Sequence, residues 1–230
     1  MKNSEQAELW AGELEKSDRS IRRQSAPLDF ESLAPEQTAL LVVDMINGFA
    51  KSGSLSSGRV GALIPSVAEL TGRCREKGFK MIFFADSHPE DSPEFQFYPS
   101  HCIRGTRESE IVDELKGQGR VIEKNSTNAF LEPEFQTFLK DNSEIRNFLI
   151  AGCCTDICVL QLALTLKTHF NRLDERSRII VPRGAVDTYD APAHPAELWN
   201  LFSFGCMLAN GIELAESLTP RDINNGGIRK

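Results

Sequence analysis

The apolar residues of this chain fall into short continuous runs separated by longer segments in which apolar and polar residues mix. Five runs are rich in Val, Ile, Leu and Phe: residues 38–45, 80–85, 120–123, 145–153 and 178–181. Their apolar positions follow one another rather than alternate, which is typical of strands that are covered on both faces. We predict a further short strand near residues 211–214.

The segments between these runs have helical patterns. We predict helices at residues 60–77, 108–115, 133–141, 156–170 and 195–208. A chain that alternates strands and helices in this way forms a parallel sheet with helices on both faces. The predicted fold class is therefore α/β, with three layers and a mostly parallel, Rossmann-like central sheet of about six strands.

The first 37 residues do not follow this alternation. A short helix is predicted there, with a stripe formed by Leu9, Trp10, Leu14 and Ile21. Residues 22–36 contain two prolines and are interpreted as a linker. We therefore divide the chain into an N-terminal, partly helical extension (1–37) and a main domain (38–230), and we expect the extension to pack on the body or on a neighbouring subunit.

Composition and charge narrow the classes of function. With 230 residues and 40% hydrophobic content, the chain can bury a large core without disulfide bonds or a structural metal. Its net charge of −7, with both signs interspersed, disfavours nucleic-acid and anionic-membrane partners, which need a concentrated basic face. No run approaches the roughly 20 apolar residues of a membrane span. We expect a small-molecule substrate.

The six cysteines bear on the cellular compartment. The N-terminus is polar and does not resemble a signal peptide, and Cys153 and Cys154 are adjacent. These features favour free thiols in a reducing compartment over three disulfides. We expect the protein to be cytoplasmic.

Chemically useful side chains follow four of the predicted strands. Asp44 ends the first, Asp86 and His88 follow the second, Lys124 follows the third, and residues 153–158 with three cysteines follow the fourth. In parallel sheets, functional groups collect beyond the carboxyl ends of the strands. The sequence therefore predicts an active site at this edge.

Cys158 is the candidate nucleophile. It lies at the predicted start of a helix, where the helix dipole is expected to lower the pKa of the thiol and free N–H groups can bind an oxyanion. The alternative is a small buried apolar residue. Cys154 and Cys158 have a spacing found in zinc sites, but no second ligand pair follows.

A thiol nucleophile needs a base, and the candidate is Asp44. This carboxylate ends an otherwise apolar strand, so it requires a cationic neighbour, and Lys124 can provide one. The alternative is that both are ordinary loop charges. His169 and His194 lie in or beside predicted helices and are interpreted as surface residues.

The segment 86–102 contains four carboxylates and two imidazoles. Mixed histidine and carboxylate sets suit zinc, iron or manganese. The alternative is an acidic, solvated loop in which the two histidines have no shared role.

Taken together, these motifs resemble the nicotinamidase branch of the isochorismatase-like hydrolases. The likeness runs from about residue 38 to residue 214. It is carried by Glu94 and by residues 42–49 (VVDMINGF), 53–55 (GSL), 86–88 (DSH), 98–102 (YPSHC), 123–130 (EKNSTNAF) and 152–159 (GCCTDICV).

The resemblance implies a catalytic triad of Asp44, Lys124 and Cys158. It also implies a cis peptide bond between Cys153 and Cys154, with the N–H groups of Cys154 and Cys158 directed at the oxyanion. The implied activity is hydrolysis of nicotinamide to nicotinate and ammonia through a cysteine thioester.

The resemblance further implies one divalent transition metal, taken here as zinc with iron or manganese as alternatives. Its implied ligands are Asp86, His88 and His101, with Glu94 at the position of a fourth ligand, where some members of the family have a histidine and others a glutamate. Phe49 and Tyr98 match the aromatic residues that flank the substrate ring in this family. We also expect a homo-oligomer.

Two positions depart from the family pattern. Ile46 and Gly48 stand where many nicotinamidases have Gln and Asp, so the substrate stays open while the triad is intact. The alternatives are an amidase for N-carbamoyl or ureido compounds, an isochorismatase, and a non-catalytic binding protein on the same fold.

Overall fold

The computed structural model describes the backbone of residues 2–219 and the side chains of residues 5–216. Its centre is a seven-stranded sheet in the order β1-β7-β6-β5-β2-β3-β4. All neighbouring strands run parallel. The strands are β1 (Ala26–Asp29), β2 (Thr38–Val43), β3 (Lys80–Asp86), β4 (Arg120–Lys124), β5 (Asn147–Gly152), β6 (Arg178–Pro182) and β7 (Glu213–Thr219).

The six predicted strands are confirmed, and the first five match to within two residues at either end. The seventh strand, β1, was not predicted. It lies inside the segment interpreted as a linker and pairs with β7 at the edge of the sheet. Pro27 is compatible with this place because an edge strand does not need every backbone N–H for pairing.

Seven α-helices accompany the strands of the described chain. They are α1 (Lys2–Gln24), α2 (Asn47–Ala50), α3 (Gly58–Ala62), α4 (Ile64–Lys77), α5 (Pro133–Asp141), α6 (Leu160–Arg172) and α7 (Ala196–Ala209). Within residues 2–219, none of them is long and apolar enough to cross a membrane. The domain predicted at 38–230 ends in residues 220–230, which lie outside the described residues.

The helix predicted at residues 108–115 is wrong. Only a short 3-10 turn, Arg107–Ser109, forms there, and the following backbone pairs with the segment after β2. Asn47 donates its backbone N–H to the Glu110 carbonyl at 2.9 Å, and Val112 donates to the Met45 carbonyl at 3.1 Å. These tertiary hydrogen bonds use backbone groups that a helix would need for its own ladder.

The two faces of the sheet are covered by different helices. Leu41 and Val43 of β2 pack in one cluster with residues of α5, α6 and α7. Leu40 and Val42, which point to the opposite face, pack in a second cluster with residues of α4. The continuous apolar run of β2 therefore reflects a strand buried on both sides, as predicted.

The strand order reverses between β2 and β5. From β2 the chain proceeds outward to β3 and β4, then returns to add β5, β6 and β7 on the other side. A crevice forms at such a switch point beyond the carboxyl ends of the strands. The fold therefore brings the residues after β2 and after β5 to opposite sides of one crevice.

Candidate active site

Asp44 follows β2 directly and is completely buried. Its backbone is left-handed (φ 53°), a conformation that Asp tolerates better than most residues. The Asp44 N–H donates to the Phe84 carbonyl at 3.0 Å, and Oδ1 accepts the Asp86 N–H at 3.0 Å. Backbone contacts with β3 therefore fix the direction of this carboxylate.

Lys124, at the end of β4, is buried between two carboxylates. Its Nζ lies 2.9 Å from Asp44 Oδ2 and 2.7 Å from Asp86 Oδ1. Burial lowers the pKa of this ammonium, but the attraction of Asp44 and Asp86 outweighs burial and raises the pKa well above its usual range. Lys124 is therefore a permanent cation at the base of the crevice.

Cys158 lies beside this cation, with Sγ 3.8 Å from Lys124 Nζ. Its local structure differs from the prediction: Thr155–Val159 forms one π-helical turn, and α6 begins only at Leu160. Single π-helical turns occur often at functional sites. The turn places the thiol in the wall of a cavity.

The expected lowering of the Cys158 pKa is wrong. Burial raises the pKa of the thiol; Lys124 opposes this, while Asp44 and Asp86 add to it. Burial also raises the pKa of Asp44 to about 6, against the opposing attraction of Lys124 and a hydrogen bond from Cys158. At neutral pH the arrangement is a neutral thiol beside an ionised carboxylate, so the thiol requires a base.

The segment that leads to Cys158 is tied to the end of β2. A Cβ on Gly152 would lie 2.0 Å from the Val43 carbonyl oxygen, so only glycine permits this approach. Cys153 donates its N–H to the same oxygen at 2.9 Å. The Cys153–Cys154 peptide bond is cis. Cys153 is buried, whereas Cys154 contributes to the cavity wall.

A second group of side chains lies next to the first and shares Asp86 with it. Asp86, His88 and His101 are buried, and one possible ligand atom from each lies within 4.8 Å of the others. His88 Nε2 is 3.3 Å and His101 Nε2 is 3.6 Å from Asp86 Oδ2. Burial raises the Asp86 pKa, but Lys124 and both imidazoles outweigh it, so the pKa lies far below its usual range.

The hydrogen bonds of the two imidazoles show which nitrogen of each is available. His88 Nδ1 lies 2.8 Å from Asn125 Oδ1, and His101 Nδ1 lies 2.8 Å from the Pro99 carbonyl. Both oxygens only accept, so Nδ1 carries the proton and Nε2 presents a lone pair. His88 Nε2 is buried with no hydrogen-bond partner. Two imidazole lone pairs and a carboxylate that face one point fit a divalent transition metal.

A cavity of about 730 Å³ lies over both groups. Phe49 and Tyr98 line it, with ring centroids 5.7 and 6.1 Å from that of His101. Glu94 also lines the cavity, in the turn Pro93–Gln96, but it lies outside the compact group of three metal-ligand candidates.

The two departures from the family pattern lie away from the cavity wall. Ile46 is completely buried and forms a bridge with Ile111. A Cβ on Gly48 would lie 2.7 Å from Cys102 Sγ, so this position has no room for a larger residue. These two residues therefore shape the core beneath the site rather than the surface that contacts substrate.

The interpretation of His194 as a surface residue is wrong. Its Nε2 lies 2.8 Å from Asp156 Oδ2, and its Nδ1 lies 2.9 Å from the Tyr189 carbonyl. The ring is sandwiched between Tyr189 and Trp199, at centroid distances of 3.9 and 4.9 Å. Because Asp156 belongs to the π-helical turn of Cys158, His194 connects this turn to α7.

Sequence reasoning also missed Asn125, although its place directly after Lys124 at a strand end was a usable signal. No local pattern marks His194, because its partners come from a loop, a turn and a helix. All six cysteines are free thiols, as expected.

Similarity to known proteins identifies the family of the chain. The isochorismatase domain matches residues 38–212. The chain belongs to the isochorismatase family. Within that family it is 30% identical to nicotinamidase 1 of Arabidopsis thaliana over 178 residues, which cover 69% of this chain and 72% of the relative.

Two solved structures of similar proteins share the fold. The zinc complex of the pyrazinamidase of Pyrococcus horikoshii is 25% identical, with a TM-score of 0.66 over 78% of this chain and 98% of that one. The N-carbamoylsarcosine amidase of Thermoplasma acidophilum is also 25% identical, with a TM-score of 0.65 over 78% and 95%. The family match begins after α1 and β1 and stops at residue 212.

Proposed function

We propose that this isochorismatase-family protein is an amidohydrolase that converts nicotinamide to nicotinate and ammonia. The observation that carries the proposal is the position of Lys124, which contacts Asp44 and two residues of the cavity wall, Asp86 and Cys158. A thiol, a carboxylate base and a fixed cation are the parts that nucleophilic amide hydrolysis requires.

The first half of the reaction forms a thioester. Asp44 takes the proton of the Cys158 thiol and becomes neutral, and Lys124 stabilises the resulting thiolate. The thiolate attacks the amide carbon, and the C–N bond then breaks. The departing nitrogen takes the proton from Asp44 and leaves as ammonia.

The second half returns the enzyme to its starting state. Asp44 accepts a proton from a water molecule that attacks the thioester carbon. The C–S bond breaks, the thiolate regains a proton from Asp44, and the carboxylic acid leaves. In both halves the N–H groups of Cys154 and Cys158 stabilise the tetrahedral oxyanion.

Asp86, His88 and His101 would hold a divalent metal, which we propose to be zinc. When bound, the metal supplies a Lewis acid next to the cavity, suited to a pyridine nitrogen. Asp86 has a second role here, because its other oxygen contacts Lys124 and links the metal site to the triad. Phe49 and Tyr98 flank the substrate ring, and Glu94 completes the polar wall.

A panel of amides scored by ammonia release tests the substrate. Nicotinamide and pyrazinamide present a carboxamide and a ring nitrogen in the same relation, whereas benzamide lacks the nitrogen. We expect turnover of the first two and at least about 10²-fold slower turnover of benzamide, because its amide is poorly positioned. Equal rates for benzamide would contradict the proposed role of the ring nitrogen.

A second candidate is hydrolysis of an N-carbamoyl or ureido compound. It is favoured by the similarity to an N-carbamoylsarcosine amidase and by Arg59 and Asp190, which add polar groups to the cavity wall. Turnover of such a compound, with none of either pyridine-type amide, would select this candidate. A catalytically silent protein would release ammonia from none of them.

The six free thiols support a reducing, cytoplasmic compartment. The expected homo-oligomer also stays a proposal.

A further inference from the structure

Helix α7 has an unusual surface for a helix at the outside of a domain. Its 14 residues include a single charged one, Glu197. Trp199 is 40% exposed and Phe202 57% exposed. A helix on the surface of a monomer normally presents charged residues outward, and contiguous exposed apolar residues mark an interaction site.

Helix α1 has the same property at its N-terminal end. Trp10, Leu14 and Ile21 are spaced by four and seven residues, so they lie on one face of the helix. At Ile21 this face is buried and lies against Gly205 of α7, whereas Trp10 is 63% exposed. All described side chains from residue 5 to residue 11 are exposed. The N-terminal part of α1 therefore projects from its own domain, which does not cover these side chains.

The exposed half of α1 is a poor candidate for a free-standing helix. Gly12 lies in its interior and weakens it, and isolated helices of fewer than about 12–15 residues are marginal in water. This half therefore needs a surface to pack on.

We propose that the outward faces of α1 and α7 form a two-fold interface with a second copy of this chain. A two-fold interface requires a surface that is complementary to itself. Here the projecting helix α1 contacts α7 where Ile21 lies against Gly205, so the two helices are neighbours and each copy can cover the exposed face of the other.

The charges of α1 favour a second copy over a different partner. Residues 2–15 contain four glutamates and one lysine, whereas residues 16–24 contain three arginines, one lysine and one aspartate. Two copies of α1 placed antiparallel across a two-fold axis set each acidic half against a basic half. The i,i+3 and i,i+4 ion pairs within α1 are exposed and weak, so they can exchange partners.

Light scattering coupled to size-exclusion chromatography tests this interface on the full chain at micromolar concentration. The wild type should have twice the 25.6 kDa mass of one chain, or a multiple of that dimer. Trp10→Glu and Phe202→Glu should each halve the mass of the dimer. The matched control is Leu131→Glu: Leu131 is 64% exposed and lies in the turn after β4, at the opposite edge of the sheet from β1.

Circular dichroism shows whether each variant is folded. Raised salt gives an independent measurement: it should weaken the dimer, because the pairing of the two α1 helices is partly ionic. A monomeric wild type would overturn the proposal. So would an oligomer that keeps its mass in both the Trp10 and Phe202 variants, or that dissociates equally in the Leu131 control.

Discussion

The two halves of the candidate site differ in how far the protein itself satisfies their polar groups. In the thiol half, Lys124 lies between Asp44 and Asp86, and Cys158 lies beside the same cation. In the metal half, the Nδ1 atoms of His88 and His101 are hydrogen-bonded, but their Nε2 lone pairs converge on one point.

The comparison teaches that the carboxylates of one half already have a cation, Lys124, whereas the imidazole lone pairs of the other half would fit one. Asp86 belongs to both, since Oδ1 contacts Lys124 and Oδ2 faces the imidazoles. The halves should therefore respond separately to most substitutions and together to the loss of Lys124 or Asp86. Each variant below is measured for both activity and bound metal.

Cys158→Ala should have the largest effect and affect the thiol half alone. Loss of the nucleophile should lower kcat/KM for the active amide by a factor of at least about 10⁴. Metal content should not change, because Cys158 lies outside the three candidate ligands. Cys74→Ala is the control: Cys74 is a buried thiol far from catalysis, and burial raises its pKa to about 12. Substantial activity in the Cys158 variant would remove the thiol from the mechanism.

Lys124→Met should disturb both halves. It leaves Asp44 and Asp86 buried without their cation, and breaking a buried ion pair typically costs about 3–5 kcal/mol in the free energy of unfolding. Urea denaturation measures this loss. Lys51→Met is the matched control, because its pair with Glu114 is exposed on both sides and should be worth about 0–1 kcal/mol. Equal losses for the two variants would show that Lys124 is not the electrostatic centre of the site.

Two substitutions should affect the metal half and leave the thiol half unchanged: one removes the candidate ligand His88, and the other removes Asn125, which orients the His88 ring. Purified protein should contain about one transition metal per chain, given a single group of candidate ligands. His88→Ala should lose most of it, and Asn125→Ala should weaken metal affinity about 10–100-fold because it leaves the His88 ring unoriented. Glu94→Ala should lower metal affinity less than His88→Ala does.

Elemental analysis and competition with a chelator measure these changes, and His169→Ala serves as the control. Reaction of Cys158 with iodoacetamide should persist in the His88 variant. If the His88, Asn125 and Glu94 variants all keep the wild-type metal content, or if the wild type binds no zinc, iron or manganese, then Asp86, His88 and His101 do not form a metal site.

The smallest expected effect concerns His194, which contacts Asp156 in the turn that contains Cys158. His194→Phe keeps an aromatic ring between Tyr189 and Trp199 but removes the bond to Asp156. We expect roughly tenfold lower kcat, less than the 10² that a misplaced reacting group can cost, with bound metal unchanged. His169→Phe should leave kcat as in the wild type. A change only in thermal stability would reduce His194 to a structural residue.

Much of this site could be predicted because its residues lie at or after the ends of the apolar runs that predict the strands. Asp44, Asp86 and Lys124 lie at the ends of apolar runs, and Cys158 follows another run by five residues. Parallel strands bring such positions to one edge. The sheet was predictable for the same reason, since buried strands read as continuous apolar runs.

The remaining features depend on contacts between distant segments. Asn47 and Met45 occupy the backbone groups that a helix at 108–115 would need, and no local pattern reports this. The pKa of Cys158 was predicted in the wrong direction because the helix dipole is local, whereas burial and nearby carboxylates are tertiary effects. His194 was misjudged because its three partners converge only in the folded chain.

The most direct test of the account is to trap the covalent intermediate. The wild type is mixed with nicotinamide, quenched in acid within one turnover, digested and analysed by mass spectrometry. We predict a nicotinoyl thioester on the peptide that contains Cys158, formed with one equivalent of ammonia and absent in Cys158→Ala. Ammonia release with no adduct on Cys158, or with an adduct on another residue, would contradict the account.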